Sequence, residues 1–293
     1  MKYLLLDGYN LAFRAFYAMP ELTNSTGTHT GALHGWIKAL WKVVDLEGPA
    51  ITAVYFDEGG AADREALLES YKANRTEMPE PLTEQMPLIR EVTELMGVPI
   101  HSQNGIEADD LMAAAALMLC DRGDEAVIVS ADKDLGQVLR PGIVQLLPAP
   151  TANPKLGWRR RDAADLEAKL GVKPEQVPDY LALIGDTSDN VKGLAGCGPK
   201  TAAKWLKEYG DLEGVIANAA HLNPRFREVV PAEADRLRQN LQIVTLDPNV
   251  MVPEPAEHPV KGPELLAFLE RMEMKQAAKQ ATERYRLDEL NLG

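Results

Sequence analysis

Nine carboxylates in five separate segments have the residue type and the placement to hold metal ions. Asp7 closes the apolar run 2–7, Asp57 follows Ile51–Phe56, and Glu107, Asp109 and Asp110 open a helical pattern. Asp132 and Asp134 follow the run 126–130, and Asp186 and Asp189 lie in Gly185-Asp-Thr-Ser-Asp-Asn190. If these runs are strands of one parallel sheet, several of the acids meet in one crevice, where so many like charges cannot all stay ionised unaided. Oxygen-only ligands, with no His or Cys beside them, select hard divalent cations, Mg²⁺ or Mn²⁺. A pair of such ions suits phosphodiester hydrolysis. Singly, each group also has an ordinary reading: Asp7-Gly8 as a turn, Glu107, Asp109 and Asp110 as complements to a helix N-terminus, and Asp132-Lys-Asp134 as a solvated turn. Jointly they point to a two-metal site.

The elements that must position these acids can be read from periodicity. Residues 2–7, 51–57, 126–130 and 143–147 are continuous rather than alternating apolar runs, as strands buried on both faces require. Between them Leu33–Val44, Thr83–Met96 and Ala108–Leu119 carry apolar residues at helical spacing. Residues 1–150 therefore read as an α/β core, a mostly parallel central sheet flanked by helices, with its crevice at the carboxyl ends of the strands. After Pro148-Ala-Pro150 the strand signal stops. Pieces such as 162–170, 176–184, 199–208, 232–246 and 263–272 make 151–293 a helical subdomain, its last helices packing back on the core. The polar segment at about 58–83 is too long for a tight connection and is a candidate functional loop.

Gly193-Leu-Ala-Gly196-Cys-Gly198-Pro-Lys200-Thr201 is not a nucleotide-binding P-loop, because Pro199 separates the glycine from the lysine. It reads as a turn whose backbone N–H groups and following helix start can cradle one phosphate, or as a tight helix–helix turn. Lys192, Lys200, Lys204 and Lys207 against the single acid Glu208 make this stretch locally basic. Lys155 with Arg159-Arg160-Arg161 either extends that surface or starts a solvated helix. The whole chain has 293 residues and a net charge of −13, which argues against a nucleic-acid partner. Setting the nine acids aside leaves 35 acidic against 31 basic residues, so most of that charge belongs to the site.

Other classes lack support. There is no signal-peptide core and no apolar stretch near ~20 residues, so the expectation is a cytoplasmic protein with no membrane contact. Cys120 and Cys197 read as free thiols. His29, His34, His101, His221 and His258 show no ligand spacing, and neither a G-x-S-x-G nor a dinucleotide fingerprint occurs.

Asp7-Gly-Tyr-Asn10, Phe56-Asp57, Glu107-Ala-Asp-Asp110, Ser130-Ala-Asp-Lys-Asp134 and Gly185-Asp-Thr-Ser-Asp-Asn190 resemble the five acidic motifs of the 5′-nuclease (flap endonuclease) superfamily. The match is closest to the bacterial 5′–3′ exonuclease domain of DNA polymerase I. It runs on through Leu22-Thr-Asn-Ser25, Tyr71-Lys72, Met78-Pro79, Leu183-Ile-Gly-Asp186 and Pro263-Glu-Leu-Leu266, nearly the whole chain. The resemblance implies a PIN-like fold with a helical arch at about 58–83 and a helix-three-turn-helix element at 192–204. It implies Asp7, Asp57, Glu107 and Asp109 towards one ion, Asp132, Asp134, Asp186 and Asp189 towards the other, and Asp110 between. Lys72 and Arg75 would contact the scissile phosphate beside the catalytic acids Asp7, Asp109 and Asp132, Tyr71 would stack on a terminal base, and Arg14 would touch a phosphate. Gly193, Gly196, Gly198, Lys200, Thr201 and Lys204 would hold duplex, with K⁺ at the hairpin. The expected protein is a free-standing, monomeric 5′–3′ exonuclease and flap endonuclease, leaving 5′-phosphate and 3′-hydroxyl on branched DNA. No polymerase partner is assigned from the sequence. The alternative is a DNA-junction binding protein with weak or no nuclease activity. Lys192, Pro199 and Thr76-Glu77 depart from the family pattern and bear on arch dynamics and substrate preference.

Overall fold

A computed structural model describes residues 1–150 and 154–287. The apolar runs form one six-stranded sheet of β1 (Lys2–Asp7), β2 (Ile51–Tyr55), β3 (Ile100–His101), β4 (Glu125–Val129), β5 (Ile143–Leu147) and β6 (Arg159–Arg161). Their order is β3-β2-β1-β4-β5-β6. The first five strands are parallel and β6 is antiparallel to β5. Because β2 lies on one side of β1 and β4 on the other, the crossovers leave β1 in opposite directions and open a crevice beyond its carboxyl end.

Six helices belong to this half: α1 (Gly8–Ala18), α2 (Gly31–Glu47), α3 (Ala62–Leu67), α4 (Glu80–Thr83), α5 (Met86–Leu95) and α6 (Ala108–Asp121). Nine follow: α7 (Ala163–Leu170), α8 (Val177–Ile184), α9 (Pro199–Tyr209), α10 (Leu212–Ala217), α11 (Pro224–Arg227), α12 (Val229–Ala232), α13 (Ala234–Val244), α14 (Gly262–Arg271) and α15 (Lys275–Tyr285). Successive side chains of β1 point to opposite faces, which divides the core in two. Leu4 and Leu6 pack with Trp36 and Leu40 of α2, Ile89 of α5 and Phe268 of α14. Tyr3 and Leu5 face the apolar side of α6, whose cluster continues through Leu181 and Leu183 of α8 to Leu206 of α9 and Leu237 of α13. β1, β2 and β4 are mostly apolar because helices cover both of their faces.

Two strands of this sheet lie outside the expected set, as does a separate two-stranded sheet of Gly185–Asp186 and Val191–Lys192. β3 is two residues long, too short for any periodicity. β6 overturns the expectation that strands stop after Pro150 and that Arg159-Arg160-Arg161 starts a helix. Polar partners hold this edge: buried Arg161 donates to Gln145 on β5, and Arg160 pairs with Glu125 at 2.6 Å. The boundary expected at 150/151 adjoins residues 151–153, which lie outside the described residues. Among the described residues no helix is long and apolar enough to cross a membrane.

The expected helical arch is only partly helical. Within 58–83, α3 and α4 are six and four residues long, and residues 69–74 are turns. A segment with Gly59-Gly60 at one end and Pro79 and Pro81 at the other, and no apolar stripe to bury, cannot sustain a longer helix.

Candidate metal centre and nucleic-acid interface

The sheet brings the acids together from the carboxyl ends of its strands. Asp7 is the last residue of β1 and caps α1, accepting from the Asn10 N–H at 2.9 Å and from the Ser130 hydroxyl beyond β4 at 2.7 Å. Gly8 is required beside it, since a Cβ there would lie 2.3 Å from the Phe56 ring. Asp57, just past β2, accepts from the Ala108 N–H at 2.6 Å and so ties β2 to the start of α6. Asp132 accepts from the Asp134 N–H at 2.9 Å. Asp186 lies on β7 (Gly185–Asp186), which pairs antiparallel with β8 (Val191–Lys192), and Asp189 sits in the turn between them.

Electrostatics mark the cluster as short of positive charge. Burial, then the hydrogen bonds and the charges of Asp132 and Asp57, leave the Asp7 carboxyl pushed up to about 7. Burial and the repulsion of Asp132, Asp7, Asp57 and Asp134 hold Asp109 well above the usual carboxylate range. Asp134 is raised in the same way, by burial and by Asp132, Asp186 and Asp189. Carboxylate oxygens of Asp134, Asp186 and Asp189 lie within 4.8 Å of one another. Asp134 Oδ1 is buried there without a hydrogen-bond partner, an acceptor with unused capacity at the place where a cation would bind. An oxygen-only donor set with an orphaned buried oxygen fits divalent cations.

Four cations offset part of this charge. Lys133 Nζ pairs with Asp186 at 2.6 Å; against the upward push of burial, this contact and the Ser188 hydrogen bonds hold Asp186 low. The other three come from the 58–83 segment. Lys72 pairs with Glu107, and Arg75 Nη2 lies 2.7 Å from Asp189. Arg64 spans Glu107 and Asp110, with 2.6 and 2.8 Å contacts to the latter, while its Nε donates to the Ile243 carbonyl at 2.8 Å. Burial raises Glu107, but Lys72 and Arg64 outweigh it and hold this acid low. The Lys72 backbone is left-handed, with φ of 54°, and its N–H donates to the Asp189 carbonyl at 3.1 Å. A non-glycine residue held this way costs about 1–3 kcal/mol and is kept by its surroundings.

Three sequence expectations change. Tyr71 is not offered for stacking: it is 7% exposed, and its hydroxyl donates to Glu107 at 3.0 Å and towards Asp189 at 3.3 Å. Asp110 shares Arg64 with Glu107, both of its oxygens accepting from this guanidinium and one also from the Asp247 N–H at 2.8 Å, which occupies it away from a metal ion. Arg14 points to the Ala149 carbonyl rather than into the acid cluster. Arg64 was not singled out from sequence, because a lone arginine among acidic neighbours carries no periodic or motif signal.

The glycine-rich turn continues directly from β8, so the acids of β7 and the basic turn share one short hairpin. Its glycines serve different ends. A Cβ at Gly193 would lie 2.3 Å from the Ile184 carbonyl oxygen, whereas Gly198, before α9, faces open space. Lys200 and Lys204 are exposed on α9.

Residues 2–171 match the family described as 5′-3′ exonuclease, N-terminal resolvase-like domain, and residues 172–264 match 5′-3′ exonuclease, C-terminal SAM fold. A 5′-3′ exonuclease of Aquifex aeolicus is 34% identical over 286 residues, 96% of each chain. The thermostable DNA polymerase I of Thermus aquaticus is 37% identical over 275 residues, 93% of this chain but 32% of the polymerase. Among solved structures, the T5 5′-exonuclease with bound zinc has a TM-score of 0.69 at 22% identity, covering 97% of this chain and 99% of its own. The Rad2 catalytic core in complex with DNA substrate has a TM-score of 0.62 at 14% identity, covering 96% and 90%.

Proposed function

This chain belongs to the 5′-3′ exonuclease family, and from that premise we propose that it is a metal-dependent 5′–3′ exonuclease and 5′-flap endonuclease acting on DNA. The observation that carries the reading is the convergence of carboxylates from separate strand ends around the orphaned Asp134 oxygen, with Lys72 and Arg75 laid over them. Asp7, Asp57, Glu107 and Asp109 would hold one ion and Asp132, Asp134, Asp186 and Asp189 the other, with Asp110 behind them as the anchor of Arg64. Two divalent cations, Mg²⁺ or Mn²⁺, would supply Lewis-acid chemistry that makes water nucleophilic near neutral pH and neutralises the leaving 3′ oxygen.

The chain's own residues supply placement. Lys72 and Arg75 already reach the acid cluster, so each can exchange a carboxylate for a phosphate oxygen, Lys72 as a point charge and Arg75 as a fork. Tyr71 holds Glu107 and Asp189 from beneath. In this reading residues 1–150 together with Asp186 and Asp189 carry the chemistry, and the helical half grips duplex through the Gly193–Thr201 turn, with K⁺ there and with Lys200 and Lys204 on the backbone. The protein acts as a monomer in the cytoplasm and leaves 5′-phosphate and 3′-hydroxyl ends.

Asp186→Ala tests the assignment. It should abolish cleavage of a 5′-flap duplex while leaving flap binding near that of the unmodified protein. Retained cleavage would remove Asp186 from the site, and equal loss of binding would make its role structural.

A further inference from the structure

A polar cavity of 370 Å³ lies between α9 and the turn that leads into α11, lined by Lys200, Lys204 and Glu208 on one wall and Asn223 and Arg227 on the other. Between α9 and α13 the ion pairs join Arg236 to Glu233 and Arg238 to Glu213 and Asp235. Among the described residues, Lys200, Lys204 and Arg227 have no carboxylate partner. Arg227 Nε donates to the Leu222 carbonyl at 2.9 Å, which fixes the guanidinium while leaving its two Nη groups free for another acceptor. In a chain of net charge −13, this groove is lined by three cations without an ion-pair partner against the single acid Glu208, a locally positive surface that suits a polyanion.

The second wall is fastened to the glycine-rich turn. Arg225 donates to the Gly196 carbonyl, and its guanidinium lies 4.3 Å from the centroid of Phe226. That ring meets Trp205 of α9 edge-on at 4.8 Å. Gly196, with φ of 77°, is the residue that admits this contact, because a Cβ there would lie 2.6 Å from Arg225 Nη2. On the other shoulder of the turn Arg236 donates to the Lys192 carbonyl, which also accepts from Asn240 at 2.8 Å. Two guanidiniums thus brace the turn from the helices behind it.

We propose that the groove between α9 and the 221–227 segment, which ends in α11, is a second duplex-backbone contact, in which Arg227 binds a phosphate and Arg225 is a positioning residue that locks this wall to the hairpin. The inference rests on the nuclease reading and extends its grip beyond the hairpin itself. Arg227 then adds one counterion-releasing contact, whereas Arg225 affects binding only through the shape of the turn.

The test is binding of a nicked duplex carrying a 5′ flap, in chelator across a range of salt concentrations, with cleavage kinetics in Mg²⁺ alongside. Arg227→Ala should raise Kd about tenfold and reduce the slope of log affinity against log salt by about 0.9. Arg225→Ala should raise Kd and KM about five- to tenfold, with kcat and the salt slope unchanged, and Arg225→Lys should recover part of the loss. Wild-type affinity and slope in Arg227→Ala would overturn the phosphate contact. A reduced slope in Arg225→Ala would overturn its positioning role. If Arg225→Ala fails to fold, Arg225→Lys and Arg227→Ala still decide. Failure of the unmodified protein to bind or cleave the flap defeats the nuclease reading as well, whereas normal cleavage with unaltered variants defeats the groove alone.

Discussion

Replacing Arg64 with alanine strips Asp110 of both guanidinium hydrogen bonds and Glu107 of one of its cations, while both carboxylates stay where the fold has put them. Glu107 is 7% and Asp110 5% exposed, so the protein's own partners rather than bulk water compensate these charges. Removing one partner of a buried ion pair costs about 3–5 kcal/mol because the other is left uncompensated. Against a typical total of about 5–15 kcal/mol, the variant should fold but with a much lower denaturation midpoint. Urea denaturation in chelator measures the difference without help from divalent ions. Arg64→Lys, which keeps the charge but not the fork, should lose less. In the double variant with Asp110→Asn, the two losses should fall short of additivity, since the second change removes the charge that the first left unpaired. A loss below about 1 kcal/mol for Arg64→Ala would refute the reasoning, because it would mean that these carboxylates do not depend on Arg64.

The raised acids make a pH prediction whose sign is opposite to that of an ordinary salt-bridged carboxylate. Asp7, at about 7 in the folded protein and 3.8 unfolded, keeps its proton on folding between those values, so metal-free stability should fall as pH rises through that window. Glu107 and Asp186, held low, act in the other direction only below about pH 4.5. Denaturation midpoints in chelator should therefore decline from pH 5 to pH 8, and saturating Mg²⁺ should flatten the decline; a midpoint that climbs over this range in chelator would contradict the assignment. Lys72→Ala should lower kcat at least tenfold, read by single-turnover cleavage, while binding of long duplex changes little. Lys200→Ala should do the reverse, weakening duplex binding and reducing the salt slope by about one.

The acid cluster was legible in the sequence because a parallel sheet obeys a simple rule: continuous apolar runs end where the crevice begins, so Asp7 and Asp57 announce themselves by position alone. The helices α2, α5 and α6 likewise follow from apolar spacing that their burial reproduces. What escaped was whatever is held by specific polar contacts instead of periodic burial. β6 is made of three arginines, and only the fold supplies Gln145, Glu125 and Glu47 as their partners. Tyr71 looked available for stacking because nothing local reveals that Glu107 and Asp189, distant in sequence, close over it. Arg64, Arg225 and Arg236 share this character, each meeting carboxylates or carbonyls from elements far along the chain. Gly196 was read as a phosphate cradle on its type, but its space is filled by a guanidinium.

These acids form a metal-dependent cutting site for 5′-ended DNA branches. Cleavage of a 5′-labelled flap duplex by the purified protein, with Mg²⁺ and then with chelator in its place, tests this most directly. The flap should be released with Mg²⁺ and stay intact in chelator. Flap binding without cleavage in either Mg²⁺ or Mn²⁺ would contradict it and leave a junction-binding protein.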